Sequence, residues 1–554
     1  MNYNSILYET YDNLIKKAIL SILLILGYTA GITAQQSISE TEKLASLGKI
    51  YGFLKYYHPE VAKGEFDWDQ QFIAQLPKVL KATDKNALSE VYSDWIEGLG
   101  EIKKCRKCDT QEDYFDKNFD LSWTQDSRLF TTELSETLTY IENNRNQKKS
   151  FYAAKERVGK IKITNEPNYK NFEYPEEAYR LLGLFKYWNI IEYFYPYKYL
   201  TDQNWDAVLI EMIPKIKEAA NKEAYQLAIK ELIAKLDDAH AWVNFSNQSQ
   251  KYLPLQVSHL ENKAVVLGFY NDSLAKLNKL KLGDVILKVN RKDFAKEAEK
   301  NLKYVSGSNT NNKIKRAYIY TLNGSEDQVV LTIEREGKLQ QLPVNRYDFR
   351  DFEYWNTPQV KSKSFDENVG YINMARLKGE DVEAVFESFE NKNAIIIDLR
   401  NYPAFIYKRC TRYLNSEKRD FTKIYTPSLA YPSRFQFKKP LQTNSSNKAF
   451  KGKIIVLVNE STMSRAEFTA MAFQTADNVV TVGNQTVGAD GDVVRFEYLG
   501  GFQTAMSGNG VVYPDGTESQ RNGVKIDIKV KPTIDGLRAG RDEVLEKALE
   551  IAKQ

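Results

Sequence analysis

Two residues, Ser464 and His240, are of the types that share a proton in nucleophilic catalysis. Ser464 follows the apolar run Lys453–Val458, which is typical of a buried parallel strand, and precedes apolar residues at helical spacing. The pattern predicts a strand that turns sharply into a helix, with the serine at the junction. At such a junction the N–H groups and the positive dipole of the first helical turn stabilise an oxyanion. The stretch therefore predicts a serine nucleophile.

Both residues also have an interpretation without chemistry. Ser464 and Glu467 match the S-x-x-E capping box, which begins many helices that have no catalytic role. His240 stands alone near the end of a predicted helix, and a single histidine more often has a structural role than a catalytic one. The decision between the two interpretations depends on the rest of the chain.

Length and charge limit the class of protein. A chain of 554 residues is too long for one hydrophobic core, so we expect several domains. The 77 basic and 73 acidic residues nearly balance, which does not indicate a nucleic-acid-binding protein. We expect a multidomain globular protein with no nucleic-acid partner.

Residues 1–34 have the features of a signal peptide. Two lysines precede an apolar run at residues 18–26, and small and polar residues follow as far as Ala34, near which we expect cleavage. The segment before the run is long and contains acidic residues, so an uncleaved membrane anchor is the alternative. Either interpretation predicts an exported protein that is periplasmic or extracellular.

Cys105 and Cys108 form a C-x-x-C pair. In an exported chain such a pair is compatible with a local disulfide, and we assign it a structural role or none. A zinc site would need two more ligands, and Cys410 with the three histidines of the chain does not supply a recognisable second pair. We predict neither a metal nor a cofactor.

The N-terminal half contains a repeat with an offset of 137 residues. Residues 53–59 match residues 190–196, and the agreement continues over the following helices without a gap. We therefore predict two duplicated helical units, residues 40–108 and 173–250, joined by a β or irregular connection over residues 109–172. The first copy has no histidine at the position of His240, so the repeated fold does not itself require one.

The C-terminal half contains two segments with different sequence patterns. Residues 253–347 contain short strands and turns, and residues 274–291 resemble the core signature of a PDZ domain, which captures an extended peptide along a sheet edge. In residues 360–553 strands and helices alternate, which predicts an α/β domain with a partly parallel sheet. Residues 417–450 interrupt this domain, and we interpret them as an irregular lid or substrate wall.

Three polar segments follow in order within the α/β domain: residues 398–403, 459–467 and 483–491. Together with the PDZ-like domain and the His240 motif, they resemble the C-terminal-processing and tricorn-like serine peptidase family. The resemblance covers most of residues 170–553. It implies an exported serine endopeptidase that hydrolyses unfolded or extended polypeptides, without a cofactor.

The resemblance also implies which residues react. In the C-terminal-processing branch the base is a lysine, and Ala489 occupies the matching position here. The tricorn-like branch instead uses a histidine that precedes the PDZ domain, and residues 238–241 match that motif. The implied nucleophile is Ser464, and the implied general base is His240.

Several positions depart from the family pattern. Ala239 replaces a serine that helps hold the catalytic group, and Ala404 begins the pair that replaces a Gly-Gly turn, so the backbone N–H groups of Ala404 and Arg465 are the candidate oxyanion donors. The family glutamate that orients the histidine aligns with Gln520. Glu518 lies two residues upstream, on the same face of an extended strand, and both remain candidates.

These departures favour an alternative function. The substitutions at Ala239, Ala404 and Ala489 are compatible with a catalytically inactive member of the family. Such a protein would bind peptides or small apolar ligands instead of cleaving them.

Overall fold

The computed structural model describes residues 37–106, 108, 113–156, 159–167, 169–245, 250–352 and 360–554. The predicted signal peptide, and the membrane anchor that is its alternative, lie outside these residues. Within the described ranges, no helix is long and apolar enough to cross a membrane.

Two sets of three helices form the N-terminal part of the molecule. Each helix of the second set begins 137 residues after its counterpart in the first. The helices are Glu40–Tyr57, Trp68–Lys81 and Lys85–Glu97 in the first set, and Glu177–Phe194, Trp205–Lys217 and Lys222–Ala234 in the second. The second and third helices of each set begin after a side chain that accepts a hydrogen bond from a first-turn N–H, namely Asp67, Asp84, Asn204 and Asn221.

Two of the ion pairs between the sets are exchanged, with the lysine supplied by one set in the first pair and by the other set in the second. Lys186 contacts Asp69 at 2.8 Å, and Lys49 contacts Asp206 at 2.8 Å. The two lysines are 137 residues apart, as are the two aspartates. The first pair is buried, with Asp69 2% exposed, whereas Asp206 in the second pair is 46% exposed.

The connection between the two sets is more ordered than predicted. It contains the helix Thr132–Asn143 and a hairpin of the strands Ala153–Lys155 and Ile161–Ile163. The expectation of β or irregular structure is therefore wrong over the helix, where Leu134, Leu138 and Ile141 recur at helical spacing and are buried. Nearby, Cys105 and Cys108 form a disulfide.

A β-rich domain occupies residues 250–352. Its strands are Leu255–Leu260, Lys263–Phe269, Val285–Val289, Lys292–Asp293, Gln328–Arg335 and Lys338–Asn345. They form one antiparallel sheet, and the longest helix packed with it is Thr310–Leu322.

A six-stranded sheet forms the centre of the α/β domain. In spatial order its strands are Ser362–Ser364, Val369–Asn373, Ala394–Asp398, Lys453–Val458, Val479–Gly483 and Ile528–Lys529. The first pair is antiparallel and the others are parallel, which confirms the predicted partly parallel sheet. Alternate strand residues pack against the helix Arg465–Phe473 on one face and against the helix Glu543–Ala552 on the other.

The prediction that the segment 417–450 is irregular is wrong. Its strands Asp420–Pro427, Phe435–Phe437 and Leu441–Gln442 form an antiparallel sheet with Gly510–Val512. A further sheet joins Val493–Tyr498 and Phe502–Ser507 to Trp242–Asn244. This last pairing attaches the chain next to His240 to the C-terminal domain.

The remaining helices are short. The α-helices are Pro59–Ala62, Asp272–Leu277, Phe294–Asn301, Val382–Glu387, Tyr407–Thr411 and Ile534–Arg538, and the 3-10 helices are Ser122–Gln125, Lys198–Leu200, Leu302–Tyr304, Phe349–Asp351 and Gly379–Asp381.

The two exchanged ion pairs predict unequal effects on stability. Asp69→Ala leaves the buried Lys186 ammonium without one of its acceptors and removes the acceptor of the Tyr51 hydroxyl, so we expect a loss of about 3 kcal/mol in unfolding free energy. Asp206→Ala is the matched control, with an expected loss below about 1 kcal/mol because its carboxylate is half exposed. Thermal melting followed by circular dichroism measures both. Equal melting temperatures for the two variants would contradict the prediction.

Candidate active site

Ser464 lies at the turn between the strand Lys453–Val458 and the helix Arg465–Phe473, as predicted. Its backbone has φ 54° and ψ −119°, a conformation that a residue with a Cβ atom rarely adopts. A serine nucleophile on a sharp, strained strand-to-helix turn is typical of hydrolases, because the turn exposes the hydroxyl at the end of the sheet.

The Glu467 carboxylate holds this turn in place. It is buried and accepts four hydrogen bonds, from the Ser464 N–H at 3.0 Å, the Thr486 hydroxyl at 2.5 Å, the Gly488 N–H at 2.7 Å and the Ala489 N–H at 3.0 Å. The Ala489 carbonyl accepts a further bond from the Ser464 N–H at 3.0 Å. Burial raises the pKa of Glu467, and its four donors oppose that change. The capping-box glutamate thus ties the serine to the loop 486–489.

The chain after Asp398 passes beside Ser464. The Thr462 hydroxyl donates to the Leu399 carbonyl at 3.0 Å, and the Arg465 guanidinium reaches the Pro403 carbonyl at 3.5 Å. In the described part of the chain, neither the Ala404 N–H nor the Arg465 N–H has an acceptor. Both N–H groups are therefore unpaired in the described structure, as an oxyanion donor is before substrate binds.

His240 is positioned by Asp238 and by a residue from a distant strand. Asp238 accepts the His240 N–H at 2.9 Å and the Ser507 N–H at 2.8 Å, one on each carboxylate oxygen. The Ser507 hydroxyl lies 3.0 Å from His240 Nδ1. The strand register explains this contact, because Trp242 pairs with Ala505 in the antiparallel ladder, and continuing that register brings residue 507 opposite residue 240.

The surroundings of His240 favour a neutral imidazole. Burial lowers its pKa from the ordinary 6.5, and the Arg316 guanidinium lowers it further, whereas Asp238 and Asp492 oppose the shift. His240 Nε2 has no partner among the described residues, and the side chain keeps 7% of its surface exposed. The ring therefore has one oriented nitrogen and one nitrogen free to accept a proton.

The chain segments that contain His240 and Ser464 both contact the loop 486–489. Ala239, next to the histidine, packs in a small apolar cluster with Met463, Val487 and Ala489. Ala489 is also the residue whose carbonyl binds the Ser464 N–H. Across the described ranges, no hydrogen bond joins the Ser464 hydroxyl to the His240 ring. The fold thus brings the two segments together without a direct bond between the side chains.

The structure does not bring Glu518 to His240. The Glu518 carboxylate accepts a hydrogen bond from the Tyr199 hydroxyl and lies 3.6 Å from the Lys117 ammonium. Residues 518–520 form no regular strand, since Glu518 makes only an isolated bridge with Val512. The period-two argument that placed Glu518 beside Gln520 therefore fails.

Gln520 has a different environment from Glu518. It is 1% exposed, and neither Oε1 nor Nε2 has a hydrogen-bond partner in the described structure. The next residue, Arg521, donates its N–H to the Gly488 carbonyl, so Gln520 lies next to the loop that holds Ser464. A buried, unpaired carboxamide at this position is a polar group without an assigned partner.

Sequence reasoning missed Ser507, Asp238 and the full role of Glu467. Asp238 and Glu467 could have been identified from the sequence, because each lies within three residues of a candidate catalytic residue. Ser507 could not, since its contact with His240 depends on strand pairing across more than two hundred and fifty residues. No group of three or more histidine, cysteine or acidic side chains within the described residues is arranged to hold a metal ion.

Comparisons with known proteins agree with this fold. Residues 368–530 match the model of peptidase family S41. Mature CPAF complexed with lactacystin is similar at 14% identity and a TM-score of 0.53, over 68% of this chain and 98% of that chain. A CPAF mutant has 15% identity and a TM-score of 0.55, over 68% and 97%. Photosystem II D1 C-terminal processing protease has 16% identity and a TM-score of 0.41, over 68% and 97%. No curated protein matches the chain.

The region that matches the family model contains the parallel sheet, the Ser464 turn and the loop that Glu467 holds. At these identities the similarity to the CPAF structures concerns the fold alone. The residues of the strained serine turn lie inside the range that matches the family model. The match to a peptidase family therefore indicates peptide hydrolysis, which similarity of fold alone does not. Over residues 368–530 the chain thus matches peptidase family S41, in agreement with its resemblance to the C-terminal-processing and tricorn-like enzymes, and it is a serine-type peptidase.

Proposed function

We propose that the protein is an exported serine endopeptidase that cleaves unfolded or extended polypeptides, with Ser464 as nucleophile and His240 as general base. The observation that carries this proposal is the strained Ser464 turn, which the Glu467 carboxylate ties to the loop against which the His240 segment packs. Strain of this kind persists only where the surrounding structure enforces it, and it is frequent at active sites.

The reaction begins with the neutral His240 ring. Nδ1 lies next to the Ser507 hydroxyl, so Nε2 is the nitrogen that accepts the Ser464 proton as Oγ attacks the peptide carbonyl carbon. The two side chains share no hydrogen bond before substrate is present, and catalytic bonds of this kind often become well aligned only in the substrate complex.

Negative charge then develops on the carbonyl oxygen. The free N–H groups of Ala404 and Arg465 stabilise it. The protonated His240 passes its proton to the leaving amine, which breaks the peptide bond and leaves an acyl group on Ser464 Oγ. Water, deprotonated by the same ring, hydrolyses this ester and restores the serine.

The orienting group of His240 is assigned to Ser507, supported by the 3.0 Å contact with Nδ1. The Asp238 carboxylate lies 3.9 Å from Nδ1 and stabilises the imidazolium through charge. Gln520 remains a candidate for a second positioning role, because its buried carboxamide lies next to the loop 486–489 and is unpaired. Glu518 has no part in this mechanism.

We assign the β-rich domain a PDZ-like role in capturing substrate. Support comes from its contacts with both halves of the site. Asn309 donates to the Thr486 and Val487 carbonyls at 2.9 Å, and the Ser308 hydroxyl accepts the Ala239 N–H at 2.8 Å. A peptide bound to this domain would therefore lie close to the Ser464 loop. For the helical part we propose a duplicated unit, on the basis of the constant offset between its helices.

The second candidate function is binding without catalysis. The missing Ser464–His240 hydrogen bond and the alanines at 239, 404 and 489 favour it. A fluorophosphonate probe separates the two functions, because it reacts only with an activated serine.

Ser464→Ala is expected to abolish fluorophosphonate labelling and hydrolysis of unfolded casein, because no other group replaces the Oγ nucleophile. Ser461→Ala is the matched control, since this exposed serine lies three residues earlier and its hydroxyl, among the described residues, bonds to the Lys315 ammonium alone. It should retain wild-type labelling. Labelling and hydrolysis that survive in Ser464→Ala would remove the central assignment.

The state of His240 predicts a pH dependence. The base must be neutral, so kcat/KM should fall as the pH drops below the pKa of His240. Burial lowers that pKa, and the midpoint of the acid limb should therefore lie below 6.5. A pH–rate profile of peptide hydrolysis measures it, and a midpoint clearly above 6.5 would contradict a buried neutral base.

Ser507→Ala should reduce kcat by about tenfold or more with little change in KM, because the ring loses its orienting partner. Thr504→Val, on the same strand, removes a buried hydroxyl that bonds the Trp242 carbonyl instead of His240. This control should keep wild-type kcat and the wild-type acid limb. If both variants have the same kcat, Ser507 does not orient the base.

A further inference from the structure

An exposed group of aromatic side chains lies beside the nucleophile. Tyr402 is 42% exposed and Phe405 is 64% exposed. The guanidinium of Arg465, the residue after Ser464, lies over both rings, 5.2 Å from the Tyr402 centroid and 5.6 Å from the Phe405 centroid. We call Tyr402, Phe405 and Arg465 the aromatic shelf.

The shelf is part of a larger packed arrangement. The Phe405 ring lies 5.4 Å from the ring of Tyr407 and 6.2 Å from that of Phe468, and these two rings are buried. Phe468 belongs to the helix that begins after Ser464. The shelf is therefore fixed to the same helix as the nucleophile, with its apolar surface open to solvent. Exposed apolar surface of this kind next to a site commonly marks a place where a ligand binds.

The position of Ala404 determines which part of a substrate would reach the shelf. Ala404 lies between Tyr402 and Phe405 in the chain, and its free N–H is one of the two candidate oxyanion donors. A scissile carbonyl oxygen bound there brings the side chain of the same substrate residue to within a few bond lengths of the flanking rings. That residue is the one that supplies the acyl group to Ser464.

We propose that the aromatic shelf is the subsite for this acyl-side residue and selects a large apolar or aromatic side chain. The proposal rests on the proposed function and names the substrate class of the same site. Apolar contact with the two rings favours a ring such as phenylalanine, since aromatic pairs gain from both burial and ring geometry. The guanidinium of Arg465 also disfavours lysine or arginine at that position by repulsion between like charges.

The experiment compares peptides that differ at one residue. Three internally quenched peptides carry phenylalanine, alanine or lysine on the acyl side of the same scissile bond. We expect the wild-type chain to cleave the phenylalanine peptide with a kcat/KM at least about tenfold above that of the alanine peptide, and to cleave the lysine peptide most slowly. In Phe405→Ala, the ratio of kcat/KM for phenylalanine over alanine should fall about tenfold.

Two more variants make the test specific. Tyr402→Ala should lower the same ratio, and this variant tests the subsite independently if Phe405→Ala proves unstable. Ile210→Ala is the control, because Ile210 is 43% exposed on the distant helix Trp205–Lys217, and its ratio should equal that of the wild type. An unchanged ratio in both shelf variants would overturn the subsite.

The two proposals fail in distinguishable ways. If the fluorophosphonate probe labels Ser464 and the wild-type chain cleaves the alanine peptide as fast as the phenylalanine peptide, the subsite is wrong and the peptidase function stands. If neither labelling nor cleavage of any of the three peptides occurs, both the proposed function and the subsite are overturned.

Discussion

The candidate site depends on the hydrogen bonds that the Glu467 carboxylate accepts. It is buried and binds four donors, one of which is the N–H of Ser464 itself. A serine with φ near 54° is unfavourable on its own, by roughly 1–3 kcal/mol, so the conformation needs external support. Four hydrogen bonds to one carboxylate supply that support, and they also fix the loop 486–489 against the start of the helix. The same loop then determines where the His240 segment packs and where the β-rich domain makes its contacts.

Most of the α/β domain could be predicted from the sequence because its strands are continuous apolar runs with polar residues at their ends. The Ser464 junction is a local feature, visible in the change from a strand pattern to a helical pattern, and the structure has it at the predicted position. The segment 417–450 was misinterpreted for a physical reason. Its strand Asp420–Pro427 pairs with Gly510–Val512, which lies more than eighty residues away, and such pairing leaves no mark in local composition.

The contacts of His240 could not be predicted from local sequence either. The sequence favours an amide at Gln520, which aligns with the orienting group of the family, or an acid at Glu518, which lies two residues upstream. The structure instead has a hydroxyl at Nδ1, delivered by the pairing of Phe502–Ser507 with Trp242–Asn244. Neither strand alone predicts that pairing. Extended geometry was also wrongly assumed for residues 518–520, where the turn residues Gly516 and Arg521 have positive φ and break the strand.

The contacts of His240 separate two tasks that a single carboxylate usually performs. An acid bound to the second ring nitrogen both orients the ring and stabilises its charged form. Here Ser507 contacts the nitrogen directly, whereas the Asp238 carboxylate lies 3.9 Å from it and is committed to two backbone N–H groups. The charge therefore acts at a longer distance than a direct bond allows, and burial of the ring opposes protonation further. Such a histidine gains less from becoming charged than one bonded directly to an acid. In the proposed mechanism the base therefore stabilises its imidazolium only weakly, and the acylation step would depend more heavily on the free N–H groups of Ala404 and Arg465.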